Sequence, residues 1–348
     1  MNAPKSVVPS LNSQVPRVLV LLMSHTYGTP ELDHSYEYHN ILPAFERLPL
    51  ETRQFDFAQE ILDNGYWVAN ANLRRVIEDW QPHALFVGIY QEQIDVELMR
   101  WISQETSTVT IGWFSDDQWR FESHSRFWAL ALNWVVTTDP TSVAKYRAVD
   151  QVNVIVSQWA ANELVYRPTG QGLEYDVSFI GACYGARKRV VEHLIRRGVS
   201  VEAWGQGWPN GRASQEQMVR VFSSSKVNLN LAAGSAASGG GFLAPVAPQV
   251  KGRVFEVPAC GGLLLTDYAA GLEGFYKIGR EIVVFDGKKD MLAKIRQLLG
   301  DEPLRESIAR AGYARTLRDH TWVRRLEDIF NQVGLLTGVG SSPEGLSS

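Results

Sequence analysis

The sequence predicts an α/β protein made of two doubly wound domains with parallel sheets. Three observations point there. The chain has 348 residues, more than the roughly 250–300 at which a single core stops growing. Short β-branched runs alternate with longer segments of 3.6-residue period, the pattern of parallel strands joined by helices. The alternation breaks at Arg167-Pro168-Thr169-Gly170-Gln171-Gly172, a run of turn formers, and then begins again.

Each element follows from its local pattern. In the first half the predicted strands are Arg17–Met23, Ala84–Ile89, Val109–Phe114, Trp134–Thr138 and Val152–Val156, with helical segments among them. The second half opens with the strand Asp176-Val177-Ser178-Phe179-Ile180. A helix Arg187–Arg197 follows, stopped by Gly198, then a strand Val199–Trp204. Ser214-x-x-Gln217 reads as a capping box that starts a helix, and Val227–Leu231 reads as the next strand. Beyond an insertion at Gly234–Pro248, a helix ends at Cys260-Gly261-Gly262. Strands Leu263–Thr266 and Ile282–Phe285 follow, then a helix Lys288–Leu299 with Met291, Leu292, Ile295, Leu298 and Leu299 on one face. The expected organisation is a flexible segment 1–15, a domain 16–168, a domain 169–320, a terminal helical segment 321–337 and a Gly/Ser-rich tail 338–348.

Composition removes several classes of function. Hydrophobic residues at 45% and charged residues at 21% exclude a disordered chain. A net charge of −4 argues against a surface that wraps nucleic acid, while leaving room for a local basic pocket. Two cysteines, Cys183 and Cys260, exclude a disulfide scaffold and a Cys-based zinc site, and fit a reducing compartment. The apolar run Val18–Met23 is far short of the ~20 residues of a membrane span. The expectation is a cytoplasmic protein, able to touch a membrane only at its surface.

In open sheets of this kind ligands sit beyond the carboxyl ends of the strands, so residues just after strands are the candidates. In Gly181-Ala182-Cys183-Tyr184-Gly185-Ala186-Arg187-Lys188-Arg189 a strand end leads into a helix start carrying glycines and cations, a combination suited to a diphosphate. Arg187 is the first choice and Lys188 the reserve; a solvated basic helix face is the alternative. In Arg253-Val254-Phe255-Glu256, Glu256 suits a ribose diol, and amides near Gly261 and Gly262 suit phosphate oxygens. A solvated glutamate at a helix–strand corner is the alternative. Gly205-Gln206-Gly207-Trp208 lacks the third glycine of a dinucleotide fingerprint, so Gly205 and Trp208 either border a nucleotide base or pack.

In the first half Ser115-Asp116-Asp117 follows a strand. Adjacent side chains diverge in extended chain, so one of Asp116 and Asp117 at most faces a site, as a base or a hydroxyl anchor. Helix capping is the other role open to them. His25, at the end of the first strand, is a further candidate base or a plain surface residue. No Asp-x-Asp occurs in the chain, so a metal bridged to a diphosphate by that motif has no ligands, and neither a metal nor another cofactor is expected.

The stretch Arg253-x-Phe255-Glu256, Ala259-Cys260-Gly261, continued by Leu263-Leu264-Leu265-Thr266-Asp267, Glu281-Ile282-Val283-Val284-Phe285 and His320-Thr321-Trp322-x-x-Arg325, resembles family-4-like glycosyltransferases of the GT-B fold, in the branch related to CgeB. The resemblance spans about Val177 to Phe330. It implies two Rossmann-like domains facing across a cleft, with a terminal helix crossing back to the first. It implies transfer of a sugar from a nucleotide-diphosphate sugar, a substrate and not a cofactor, to an acceptor hydroxyl. Glu256 is then the ribose-binding second glutamate of a Glu-x7-Glu pattern, whose first position is Pro248 here. The departure leaves three outcomes: a transferase, a sugar-nucleotide epimerase or phosphorylase on the same fold, or a non-catalytic binding protein. His320-Thr321-Trp322-x-x-Arg325 reads as a structural clasp.

Overall fold

The computed structural model describes residues 15–91, 93–232 and 248–336. The predicted flexible ends, save Val15, and the insertion before Pro248 lie outside the described residues. The chain divides into two compact units. One comprises the described residues of Met1–Tyr38, Leu42–Ser157 and Arg325–Ser348; the other comprises His39–Ile41 and Gln158–Arg324.

The first unit is built on a six-stranded parallel sheet in the order β2-β1-β3-β4-β5-β6. The strands are β1 (Arg17–Leu21), β2 (Glu51–Gln54), β3 (Ala84–Gly88), β4 (Val109–Phe114), β5 (Trp134–Thr137) and β6 (Val154–Val156). Val18 to Leu21 and Ala84 to Val87 are buried throughout, as continuous apolar strands covered on both faces must be. Val18 pairs with Ala84, and Ile111 with Trp134. The order reverses between β1 and β3, which is therefore this sheet's switch point. Phe330 on the last helix, Trp322–Gln332, packs its ring near Phe45 and Phe86 in the same unit.

The second unit carries a five-stranded parallel sheet in the order β11-β10-β9-β7-β8. Its strands are β7 (Tyr175–Ile180), β8 (Val201–Trp204), β9 (Ser225–Asn230), β10 (Leu264–Asp267) and β11 (Val283–Phe285). The switch point lies between β7 and β9. Helix Arg187–Arg196 joins β7 to β8, and helix Gln215–Ser223 leads into β9 with the Ser214 hydroxyl accepting from the Gln217 amide. Helix Arg253–Ala259 runs into β10. Among the described residues no helix is long and apolar enough to cross a membrane.

Two elements were not anticipated from the sequence. Strand β2 pairs in parallel with the outer edge of β1 although its residues are polar and largely exposed. An 18-residue helix, Glu302–Asp319, follows helix Gly287–Gly300. It comes close to its neighbour at Gly312, where a Cβ would meet the Glu281 carbonyl oxygen at 2.3 Å.

Candidate functional site

In the second unit the candidate site forms at the carboxyl ends of β7 and β9. Arg187, the first residue of the helix that follows β7, folds back over this switch point. Its Nη1 donates to the Ala182 carbonyl at 3.2 Å and its Nη2 to the Leu231 carbonyl at 2.9 Å. The guanidinium lies 4.1 Å from the centroid of the Tyr184 ring. Burial holds its pKa below the ordinary arginine value. Arg187 is thus a clamp across two strand ends, not the free phosphate-gripping side chain expected from a basic helix start. Lys188 and Arg189 are exposed.

Helix Arg253–Ala259 brings Arg253 and Glu256 to this unit one turn apart. Glu256 is only 5% exposed. Burial raises its pKa to about 7, against the favourable Arg253 charge and a hydrogen bond from the Tyr166 hydroxyl. Tyr166, itself buried, also hydrogen-bonds Gln215 and Asn40. Arg253 also repels the Arg187 guanidinium electrostatically, so its charge is felt by both the carboxyl and the clamp. A carboxylate has room for about four hydrogen bonds, so Glu256 keeps acceptor capacity for a diol.

The glycine pair after this helix does not present the phosphate-binding amides expected from the sequence. Gly261 N–H donates to the Pro258 carbonyl at 2.9 Å, and Gly262 N–H to the Val257 carbonyl at 3.1 Å. Both amides close the helix C-terminus, the negative end of the helix dipole, and neither is free for phosphate. Gly261 has φ +71, and a Cβ on Gly262 would meet the Phe222 carbonyl oxygen at 2.5 Å. These glycines serve chain reversal and close packing.

Gly205 and Trp208 lie beyond β8, but they too are structural. A Cβ on Gly205 would sit 2.3 Å from the Gly181 carbonyl oxygen, so only glycine lets the two loops meet. The Trp208 indole N–H donates to that same oxygen at 2.8 Å, and its ring sits edge-on to Phe179. Trp208 therefore shapes the loop and offers no free face by its indole nitrogen. His320 is likewise held, with Nε2 2.8 Å from the Phe275 carbonyl oxygen and its ring among Phe255, Phe275 and Tyr276.

In the first unit a cavity of about 40 Å³ opens at the carboxyl ends of β1, β3 and β4, the switch point of that sheet. Glu37, Tyr90, Ser115, Asp116, Arg120 and His124 line it. Arg120 donates to the Tyr90 carbonyl at 2.6 Å, with its guanidinium 5.2 Å from the Tyr90 ring centroid. Burial raises the Glu37 pKa. Asp116 reaches this cavity, and Asp117 does not. Asp117 is fully buried and accepts from the Thr137 hydroxyl at 2.6 Å and the Tyr146 hydroxyl at 2.9 Å. It ties the end of β4 to β5 and to helix Ser142–Ala148, which removes it as a base. His25 is stacked on His34 at 4.9 Å and is not among the cavity residues. Glu37, Tyr90 and Arg120 went unnoticed in the sequence because they come from three separate elements and carry no shared motif.

Residues 187–331 match a family model described as glycosyl transferase-like. No curated protein matches the chain. Among solved structures, the sucrose-phosphate synthase of Thermosynechococcus elongatus superposes with a TM-score of 0.62 at 10% identity, covering 92% of this chain and 99% of the other. HepE of Anabaena, solved with UDP-glucose, gives 0.61 at 10% identity over 91% of this chain and 99% of its own. A putative UDP-N-acetylglucosamine 2-epimerase of Listeria monocytogenes gives 0.51 at 9% identity, over 88% and 95%. The two-sheet architecture is the GT-B fold, and the resemblance to GT-B glycosyltransferases read from the sequence holds.

Proposed function

We propose that this protein is a glycosyltransferase that moves a hexose from a nucleotide-diphosphate sugar to an acceptor hydroxyl. The observation that carries the reading is the coincidence of the glycosyl transferase-like segment, 187–331, with the cationic and carboxyl groups at the β7/β9 switch point. In this reading Glu256 accepts hydrogen bonds from the ribose diol, and Arg253 lies toward the diphosphate. Arg187 holds the two strand ends in place. Asp116, which lines the first unit's cavity together with Glu37, is assigned to binding the acceptor.

The reaction proceeds with retention and without a metal. The acceptor oxygen attacks the anomeric carbon on the face from which the diphosphate leaves. The carbon–oxygen bond to the phosphate breaks, the new glycosidic bond forms, and the acceptor proton passes to the departing phosphate oxygen. Arg253 stabilises the charge that builds there. The protein belongs, in this account, to the CgeB-related branch and works in the cytoplasm.

Calorimetric titration with UDP-, GDP- and ADP-sugars tests the reading, followed by analysis of the products for transfer. Binding with transfer supports it, and no binding of any nucleotide sugar refutes it. The epimerase likeness favours one rival, recognised by sugar-nucleotide turnover that needs no acceptor.

A further inference from the structure

The two residues that follow β9, Leu231 and Ala232, are a junction for side chains from distant parts of the second unit. Leu231 receives the Arg187 guanidinium on its carbonyl. The Ala232 amide donates to Asp267 Oδ1 at 2.6 Å, and the Ala232 carbonyl accepts from the backbone amide of Gln249 at 3.4 Å. Gln249 is 3% exposed, and among the described residues its side-chain Nε2 has no hydrogen-bond partner. Arg187 Nε is buried in the same condition. Several buried polar atoms of the described residues are unpaired, but these two donors are linked through one two-residue junction at a switch point. A buried group left unpaired calls for an explanation, and a ligand that completes it is one.

We propose that Gln249 is a ligand-contacting residue of the donor site, and that its Nε2 donates a hydrogen bond to an oxygen of the sugar diphosphate. The inference rests on the nucleotide-sugar reading above and adds a residue to it. An amide is suited to the task because it donates without carrying charge. In a unit that already carries Arg187 and Arg253, it neither repels a phosphoryl oxygen, as a carboxylate would, nor adds a third positive charge. Phosphoryl oxygens and sugar hydroxyls both accept such a bond, and ligands of increasing length tell them apart.

The test pairs ligand binding with unfolding of the full-length chain. Wild type, Gln249→Met and Gln249→Glu are titrated with nucleoside monophosphates, diphosphates and glucose diphosphates of uridine, guanosine and adenosine. Each is also unfolded in urea without ligand. Gln249→Met should bind the preferred ligand about 10-fold more weakly, the loss of one such hydrogen bond. Gln249→Glu should bind it more weakly still. The shortest ligand that shows the loss locates the oxygen. Without ligand, Gln249→Met should unfold at an equal or higher urea concentration, because an unpaired buried amide has been removed. Unchanged affinity for every ligand that wild type binds overturns the role of Gln249 and leaves the nucleotide reading intact. A stability loss matching the affinity loss also overturns it, by making the residue structural. Failure of wild type to bind any of these nucleotides removes both claims.

Discussion

Replacing Glu256 with glutamine isolates the energetic consequence of burying this carboxyl. Its pKa stands near 7 in the folded protein against an ordinary value of 4.5. The folded state therefore holds the proton more tightly than the unfolded chain. That stabilisation is complete below about pH 4.5 and is lost as pH rises through 7. The difference of 2.5 units, at 1.36 kcal/mol per unit, amounts to about 3 kcal/mol. Glutamine keeps the shape and an acceptor for the Tyr166 hydroxyl but does not ionise. The stability gap between Glu256→Gln and wild type should be close to zero at pH 4.5 and grow to about 3 kcal/mol by pH 8. With a urea slope of about 2 kcal/mol/M, the midpoints should separate by about 1.5 M. Nucleotide affinity of the wild type should rise over the same interval, since a diol donates more strongly to an ionised carboxylate. A gap that stays constant from pH 4.5 to 8 would refute the reasoning.

Other expectations concern the residues whose roles the structure reassigned. Arg187→Ala should destabilise the second unit by about 2 kcal/mol, the scale of hydrogen bonds from a charged group, while Lys188→Ala stays within about 0.5 kcal/mol in the same urea titration. Asp117→Ala should cost about 3 kcal/mol or more by stranding the Thr137 and Tyr146 hydroxyls, with thermal unfolding as the readout. Asp116→Ala should leave the melting temperature nearly unchanged and reduce sugar transfer, which a radiolabelled-product assay would reveal. Gly262→Ala should lower the yield of folded protein, because its methyl meets the Phe222 carbonyl.

The strands of both sheets were readable because each central one is a continuous apolar run bounded by turn residues. Strand β2 was not, since Glu-Thr-Arg-Gln on an exposed sheet edge has neither alternation nor a β-branched cluster. Helix Glu302–Asp319 escaped for a related reason. Its inward face is assembled from Arg305, Ile308, Gly312 and Thr316, which form no apolar stripe. At the candidate site, Glu256 stood out through its motif. The motif could not say that the carboxyl would be almost closed off from solvent. Gly261 and Gly262 were misread because glycines near a ligand and glycines ending a helix look alike in sequence. The preceding helix makes the second role the physical one. The divergence of neighbouring side chains limited Asp116 and Asp117 to one site position. Only the fold shows that Thr137 and Tyr146 claim Asp117. Gln249 and Glu37 carried no signal at all, since an unpaired donor or a shared cavity exists only once distant segments meet.

The central claim is that the second unit binds a nucleotide sugar at the carboxyl ends of β7 and β9. A crystal structure with the preferred nucleotide-glucose ligand measures this directly. The account predicts the ribose hydroxyls within hydrogen-bond distance of Glu256 and the diphosphate beside Arg253. A nucleotide bound elsewhere on the protein, or a Glu256 carboxyl still joined only to Tyr166 with the ligand in place, would contradict it.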